Sequence, residues 1–142
     1  MPIAKIKIGA KSESITKTRV KAGEFELLLD EPRSMGGTNE AADPLQYLLA
    51  GFAGCMNVTA HSIASEMGIN LKGLDIEIEG DLAIGPLDDG KESAVFTEIR
   101  VKLNPEADAC KDTLGKWAEQ VEKRCAVSRT LQNNVGVKMG LK

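Results

Sequence analysis

Residues 43–68, DPLQYLLAGFAGCMNVTAHSIASEMG, constrain the fold more than any other stretch of this chain. Asp43 followed by Pro44 is the combination of N-cap acceptor and first-turn proline that helix starts favour, and Gly68 supplies a common C-terminal stop. The pattern predicts one helix from Pro44 to Met67, about 36 Å long at about 1.5 Å per residue. This helix is apolar on nearly all sides and rich in glycine and alanine. We therefore expect it to be enclosed, with another element approaching its backbone closely.

The chain before this helix is predicted to be rich in β-strands. Residues 3–8 alternate apolar and charged side chains as IAKIKI, and two further strands are predicted over 14–20 and 24–29. Residues 30–43, DEPRSMGGTNEAAD, collect Pro, Gly, Asn and Asp and therefore predict a loop. Loops longer than about 12 residues tend to be functional or flexible, so this loop is a candidate functional segment.

The chain after the helix predicts a hairpin, a second helix and a closing strand. Apolar and polar side chains alternate in LDIEIEGDLAI and VFTEIRVKL. This alternation predicts two strands, each with one buried and one solvent-exposed face, joined by the tip GPLDDGKES. Asn104 and Pro105 repeat the cap-and-proline opening and predict a second helix with Cys110 on its apolar stripe. A short helical segment, SRTLQNN, and a last strand, VGVKM, follow. The order β-β-β-α-β-β-α-β with antiparallel meanders predicts an α+β fold in a single domain, residues 1–142.

Composition and charge argue against two classes of partner. The net charge of −3 over 142 residues leaves no excess of Lys and Arg for binding nucleic acid phosphates. The N-terminal sequence MPIAKIKIGAK lacks the apolar core of a signal peptide. The longest weakly polar run, residues 45–60, is too short to cross a bilayer of about 30 Å comfortably. We expect a cytoplasmic protein whose partners are neither nucleic acids nor membranes.

Three cysteines, Cys55, Cys110 and Cys125, are the candidate reactive residues. A zinc site would need all three and His61, the only histidine, so we expect no metal. Free cysteine is among the most buried residue types, so base rates favour simple core packing for Cys55 and Cys110. Cys125 differs because an arginine stands on either side of it in EKRCAVSR, near a helix start. Such surroundings favour a thiolate and make Cys125 a candidate for reactivity.

Two segments taken together, GGTNEAADPLQYLLAGFAGC and KRCAVSRTL, resemble the OsmC/Ohr family, the osmotically inducible and organic hydroperoxide resistance proteins. The order and spacing of the family's motifs match essentially the whole chain. The resemblance implies an OsmC-like intertwined homodimer with the two long helices packed at its centre, which explains small residues around Cys55. It also implies a thiol-dependent peroxidase for organic hydroperoxides, with no metal, flavin or other cofactor and with a dithiol reductant as partner.

The same resemblance implies roles for two of the cysteines. Cys55 is expected to be the peroxidatic residue, whose thiolate displaces alkoxide from the hydroperoxide and becomes a sulfenic acid. Cys125 is expected to be the resolving residue, which condenses with that acid to form a disulfide. The apolar neighbours Leu48, Phe52 and Met56 suit an alkyl or fatty hydroperoxide better than hydrogen peroxide.

The family's activating residues are partly replaced in this chain. Peroxidase members usually carry a Glu directly after the helix-opening proline, paired with an N-terminal Arg over the reactive sulfur, and that Glu position is Leu45 here. Arg19 or Arg33 is therefore the expected cation and Glu40 the expected carboxylate. Two alternatives remain open: a non-catalytic redox sensor or small apolar-ligand binding protein with the same fold, and a structural dimer whose cysteines only pack.

Overall fold

A computed structural model describes all residues, 1–142, and the chain divides into two compact units, Met1–Ala50 and Gly51–Lys142. In chain order the elements are β1 (Gly9–Ser12), β2 (Thr18–Ala22), β3 (Phe25–Leu29), a 3-10 turn (Arg33–Met35), α1 (Pro44–Glu66), β4 (Leu71–Pro86), β5 (Glu92–Ala107), α2 (Lys111–Arg124) and α3 (Ala126–Leu131). The strands pair antiparallel in two separate sheets, and three helices accompany them. The predicted α+β fold is confirmed. The single-domain organisation stays a prediction.

The first unit contains a three-stranded antiparallel meander in the order β1-β2-β3. The prediction of a strand over residues 3–8 is wrong, because these residues pair with no other strand of the chain and lie exposed. A strand needs a partner for its backbone N–H and C=O groups, whatever its side-chain alternation. The second strand also begins later than predicted, at Thr18. The Ser14 hydroxyl oxygen accepts the N–H groups of Thr16 and Lys17 and turns the chain just before it.

Helix α1 begins and ends where its sequence signals lie. Asp43 Oδ1 accepts the Gln46 N–H at 2.8 Å, and Gln46 Oε1 accepts the Asp43 N–H at 3.0 Å, a reciprocal capping box. At the other end Gly68 adopts a φ of 68°, which only glycine takes without strain, and Ile69 N–H bonds the Ala64 carbonyl at 2.8 Å. The predicted helix is confirmed to within one residue.

The predicted start of the second helix is wrong. Asn104 and Pro105 remain in β5, hydrogen-bonded in register with β4. Proline cannot donate a backbone hydrogen bond, but both strands of a two-stranded sheet are edge strands, where this loss is tolerated. Helix α2 begins instead at Lys111, with Cys110 as its N-cap residue. Cys110 is therefore exposed and not a core residue as predicted, because it precedes the first turn that packs.

The core of the second unit lies between one face of α1, the β4–β5 hairpin and α2. Its buried members are Phe52, Met56, Ala60, Ile63, Ala64, Ile69, Trp117, Val121 and Cys125. The opposite face of α1 is not covered: Val58 is 70% exposed, and a Cβ placed on Gly51 or Gly54 meets nothing within 4 Å. The expected enclosure of α1 is therefore not achieved within one chain.

The end of the chain differs from the sequence expectation. Helix α3 covers Ala126–Leu131 and begins two residues earlier than the predicted segment SRTLQNN. The predicted last strand, VGVKM, is not a strand here, and residues 132–142 lie outside helices and strands and are exposed. The reason is the same as for residues 3–8, since no strand of the chain offers its edge to this segment.

Candidate functional site

Helix α1 and the junction between α2 and α3 bring two cysteines together. Cys55 lies in the middle of α1, and Cys125 lies between α2 and α3, where its N–H bonds the Val121 carbonyl at 3.0 Å. The two thiols are near each other, and each is among the groups that shift the pKa of the other. Cys55 is half-buried, whereas Cys125 is fully buried. The family resemblance implied a redox pair of these two cysteines, which stays a prediction.

The surroundings of Cys55 favour its thiolate. Burial alone raises the pKa of the Cys55 thiol, but the net shift is downward because several donors face the sulfur. The largest of these are the Val127 backbone N–H and the Cys125 thiol, followed by the Ala126 N–H and the Thr59 hydroxyl. The sequence pattern places Thr59 on the same helix stripe as Cys55 but gave it no role. The signal was available, because positions four residues apart share one helix face.

Cys125 has the opposite electrostatic surroundings. Burial is the main cause that raises the pKa of the Cys125 thiol, and the neighbouring Cys55 raises it further. The expectation that flanking arginines favour the Cys125 thiolate is therefore wrong. Arg124 instead forms a two-pronged ion pair with Glu66, with N–O distances of 2.6 and 2.8 Å. Of the two neighbouring thiols, Cys55 is both the more accessible and the more acidic.

The residues expected to activate Cys55 have partners within the first unit. Arg19 Nε donates to Glu13 at 2.6 Å, and this hydrogen bond raises the pKa of the arginine. Glu40 forms an ion pair with Lys17, and the lysine is the main cause that lowers the pKa of Glu40. Arg19 and Glu40 are therefore not paired with each other as the family's activating residues are.

Arg33 differs from the other two candidates. It begins the 3-10 turn Arg33–Met35, is exposed, and forms no ion pair or side-chain hydrogen bond. Leu45, which stands at the family's Glu position, is 42% exposed in the first turn of α1. A leucine side chain has no charge with which to hold an arginine, so Arg33 remains available for another partner.

A buried carboxylate that sequence reasoning missed organises the long loop. Asp30 is completely buried and accepts the Thr38 hydroxyl at 2.6 Å, together with backbone N–H groups of Glu31, Thr38 and Glu40. The Thr38 hydroxyl is the main cause that holds the pKa of Asp30 well below its usual range. The loop is therefore ordered by one charged side chain. The signal in the sequence was an aspartate directly after the apolar run of β3.

The apolar residues expected around Cys55 separate into two groups. Phe52 and Met56 are 5% and 4% exposed and belong to the core, whereas Leu48 is 40% exposed. The third thiol, Cys110, lies apart at the start of α2 with its Sγ 3.2 Å from the Thr113 hydroxyl. That hydroxyl is the main cause that lowers the pKa of Cys110.

Two further features of the chain bear on cofactors and membranes. No group of three or more His, Cys, Asp or Glu side chains is arranged to hold a metal ion. None of the helices combines the length and the apolar character needed to cross a membrane.

Comparison with known proteins places this architecture in a family. Residues 37–140, well over half of the chain, match the family described as OsmC-like protein. An uncharacterised protein of Acinetobacter baylyi is 28% identical over 113 residues, which cover 80% of this chain and 75% of the relative.

Solved structures share the fold. An OsmC-like protein from Mycoplasma pneumoniae superimposes with a TM-score of 0.79 at 25% identity, over 91% of this chain and 88% of that chain. An organic hydroperoxide resistance protein from Legionella pneumophila gives a TM-score of 0.68 at 23% identity, over 97% and 96% of the two chains.

Proposed function

Since the chain belongs to the OsmC-like family, we propose that it is a thiol-dependent peroxidase that reduces organic hydroperoxides through Cys55 and Cys125. The observation that carries this proposal is the thiol pair itself. Two cysteines from distant parts of the sequence lie together, and the more accessible one has the lowered pKa. The fold shared with a hydroperoxide resistance protein of Legionella pneumophila supports a hydroperoxide as the substrate class.

The proposed reaction uses the two sulfurs in sequence. The Cys55 thiolate attacks the terminal oxygen of the hydroperoxide, the O–O bond breaks, and the alkoxide leaves and takes up a proton as the alcohol. Cys55 is now a sulfenic acid. The Cys125 thiol condenses with it, so that an S–S bond forms and water leaves. A dithiol reductant then converts the disulfide to two thiols and is itself oxidised to a disulfide.

The arrangement suits this order of events. A reaction at neutral pH needs the attacking sulfur as a thiolate, which the donors around Cys55 favour. The resolving sulfur must wait for the sulfenic acid, and the raised pKa of buried Cys125 keeps it protonated until then. Arg33 is the proposed activating cation, because Arg19, the other candidate, is already engaged by Glu13.

We also propose that the protein acts as an intertwined homodimer in the cytoplasm. The open face of α1 at Gly51, Gly54 and Val58 fits a second copy of the same small-residue face. Residues 3–8 and 135–139 carry strand patterns without a partner strand in their own chain, and the sheets of a second copy supply such edges. Cytoplasmic conditions keep thiols reduced between catalytic cycles.

Stopped-flow oxidation of the reduced protein tests the proposed activity. Cumene hydroperoxide is expected to consume two thiols rapidly in the unsubstituted protein and in the control Cys110→Ser, which removes the exposed thiol outside the pair. Cys55→Ser is expected to abolish the reaction, and Cys125→Ser is expected to stop at a sulfenic acid that a dimedone probe traps.

Two outcomes would contradict the proposal. Slow oxidation that does not distinguish cumene hydroperoxide from hydrogen peroxide would favour the redox sensor or apolar-ligand binding protein. Unchanged peroxide consumption in Cys55→Ser would show that Cys55 is not the residue that reacts with the hydroperoxide.

A further inference from the structure

An ion pair joins the ends of two helices directly beside Cys125. Glu66 is the last residue of α1 and Arg124 is the last residue of α2. The guanidinium donates to both carboxylate oxygens, Nη1 to Oε2 at 2.6 Å and Nη2 to Oε1 at 2.8 Å. Such two-pronged geometry fixes the orientation of both groups, which a single contact does not. The residue that follows Arg124 in the chain is Cys125.

Arg124 and Cys125 are neighbours in the chain but contact distant points of α1. Arg124 binds Glu66, whereas Cys125 lies beside Cys55. Positions 55 and 66 are separated by about 16 Å along a helix that rises about 1.5 Å per residue. The backbone at the α2–α3 junction is therefore held from two directions along the axis of α1. Removing one of these contacts frees the junction to shift along that axis.

We propose that Glu66 and Arg124 form a positioning pair, which holds the α2–α3 junction where the Cys125 sulfur faces Cys55. This inference rests on the proposed role of the two cysteines as a redox pair. The same junction carries the backbone N–H groups of Ala126 and Val127 that face the Cys55 sulfur. The ion pair therefore influences both the formation of the disulfide and the reactivity of the Cys55 thiol, although it contacts neither sulfur.

Equilibration with glutathione tests this role without using a peroxide. The protein dithiol and oxidised glutathione exchange to give the protein disulfide and two reduced glutathione molecules. The fraction of disulfide at each glutathione ratio gives the equilibrium constant. Glu66→Gln is expected to lower this constant about two- to fivefold, the effect of one exposed ion pair. It is also expected to slow alkylation of Cys55 by iodoacetamide at neutral pH, and both effects are expected to shrink at 1 M salt.

The hairpin offers a matched control. Arg100 donates to both oxygens of Asp81, each at 2.8 Å, in an exposed pair of the same geometry. Asp81→Asn removes that charge from β4 and is expected to leave both measurements unchanged. Reversing the first pair with Glu66→Arg and Arg124→Glu together is expected to restore the equilibrium constant, while either change alone lowers it.

Three results would overturn the proposal. Equal glutathione constants for Glu66→Gln and Asp81→Asn would show that the ion pair does not position the thiols. A double reversal that behaves as the sum of its single changes would exclude the pairing itself. If the unsubstituted chain forms no disulfide at any glutathione ratio, both the positioning role of the ion pair and the resolving role of Cys125 are contradicted. The glutathione measurement uses no peroxide. A protein without peroxidase activity can therefore still support or contradict the positioning role of the ion pair.

Discussion

The indole Nε1–H of Trp117 donates a 2.9 Å hydrogen bond to the backbone carbonyl of Ala60 inside the core of the second unit. Both residues are almost fully buried. The bond joins α2 to α1 at the turn that follows Cys55, and the small side chain of Ala60 leaves room for the indole. This hydrogen bond is thus one of two polar contacts that join α2, the helix that leads to Cys125, to α1, the other being the Glu66–Arg124 ion pair.

Trp117→Phe tests the energetic weight of this contact. The change removes the N–H donor and leaves a small cavity, so the free energy of unfolding is expected to fall by about 1–3 kcal/mol. Urea denaturation followed by circular dichroism measures it, because the chain then has no tryptophan to report by fluorescence. Leu114→Met, a volume-conserving change on the same helix, is the control. Equal stabilities of the two variants would contradict the assigned contribution of the hydrogen bond.

The order of acidity of the thiols gives a second prediction. Because the pKa of Cys55 is lowered and that of Cys125 is raised, iodoacetamide is expected to alkylate Cys55 at lower pH than Cys125. Thr59→Val removes one donor to the Cys55 sulfur without changing the side-chain shape. It is expected to slow alkylation of Cys55 at pH 7 about fivefold, the equivalent of about one hydrogen bond.

Mass spectrometry of the alkylated peptides separates the cysteines in this experiment. Cys110 lies at the start of α2, so its pH profile serves as an internal control that Thr59→Val leaves in place. Identical profiles for Cys55 before and after the substitution would remove Thr59 from the site.

The buried carboxylate of Asp30 gives a prediction about pH and stability. A carboxyl group whose pKa is lowered in the folded state stabilises that state above its unfolded pKa of about 3.9, and this contribution is lost as the pH falls towards the folded pKa. Asp30→Asn is therefore expected to be less stable than the unsubstituted protein at pH 7, with the difference narrowing below about pH 4.

Urea denaturation at pH 7 and pH 3 measures this difference. Asp75→Asn, an exposed aspartate in β4, is the control and is expected to have little effect at either pH. A difference for Asp30→Asn that stays constant between the two pH values would mean that the charge of Asp30 does not stabilise the loop.

The open face of α1 predicts the effect of a charge placed on it. Val58 is 70% exposed in one chain, and the proposed dimer buries it. Val58→Asp is expected to convert the protein to monomers at micromolar concentration, because two carboxylates would face an apolar contact without partners. Light scattering coupled to size-exclusion chromatography measures the mass, and Val58→Thr, of the same shape, is expected to remain dimeric. A monomeric unsubstituted protein would refute the dimer.

Local sequence signals predicted an element correctly where no long-range strand pairing opposed them. Asp43, Pro44 and Gly68 located α1 because caps and stops act within one turn of the helix. The same signal at Asn104 and Pro105 failed, because pairing with β4 extends β5 past the proline. Alternation over residues 3–8 likewise predicted a strand that has no partner in the chain.

The geometry of the candidate site could not be predicted from local sequence signals. Nothing in the spacing of Cys55 and Cys125 required them to meet, and their pairing came only from the resemblance between whole motifs. Sequence context even favoured the thiolate of Cys125, because it counted the flanking arginines but not the burial that raises the pKa of this thiol.

The sequence by itself determined the α+β class and the position of the long helix, because alternation, caps and prolines act over a few residues. Only the tertiary structure decided which thiol is the more acidic and which buried carboxylate orders the loop. Ionisation depends on burial and on donors that approach from elsewhere in the chain, such as the Val127 N–H at Cys55 and the Thr38 hydroxyl at Asp30. Those distances exist only once the chain has folded.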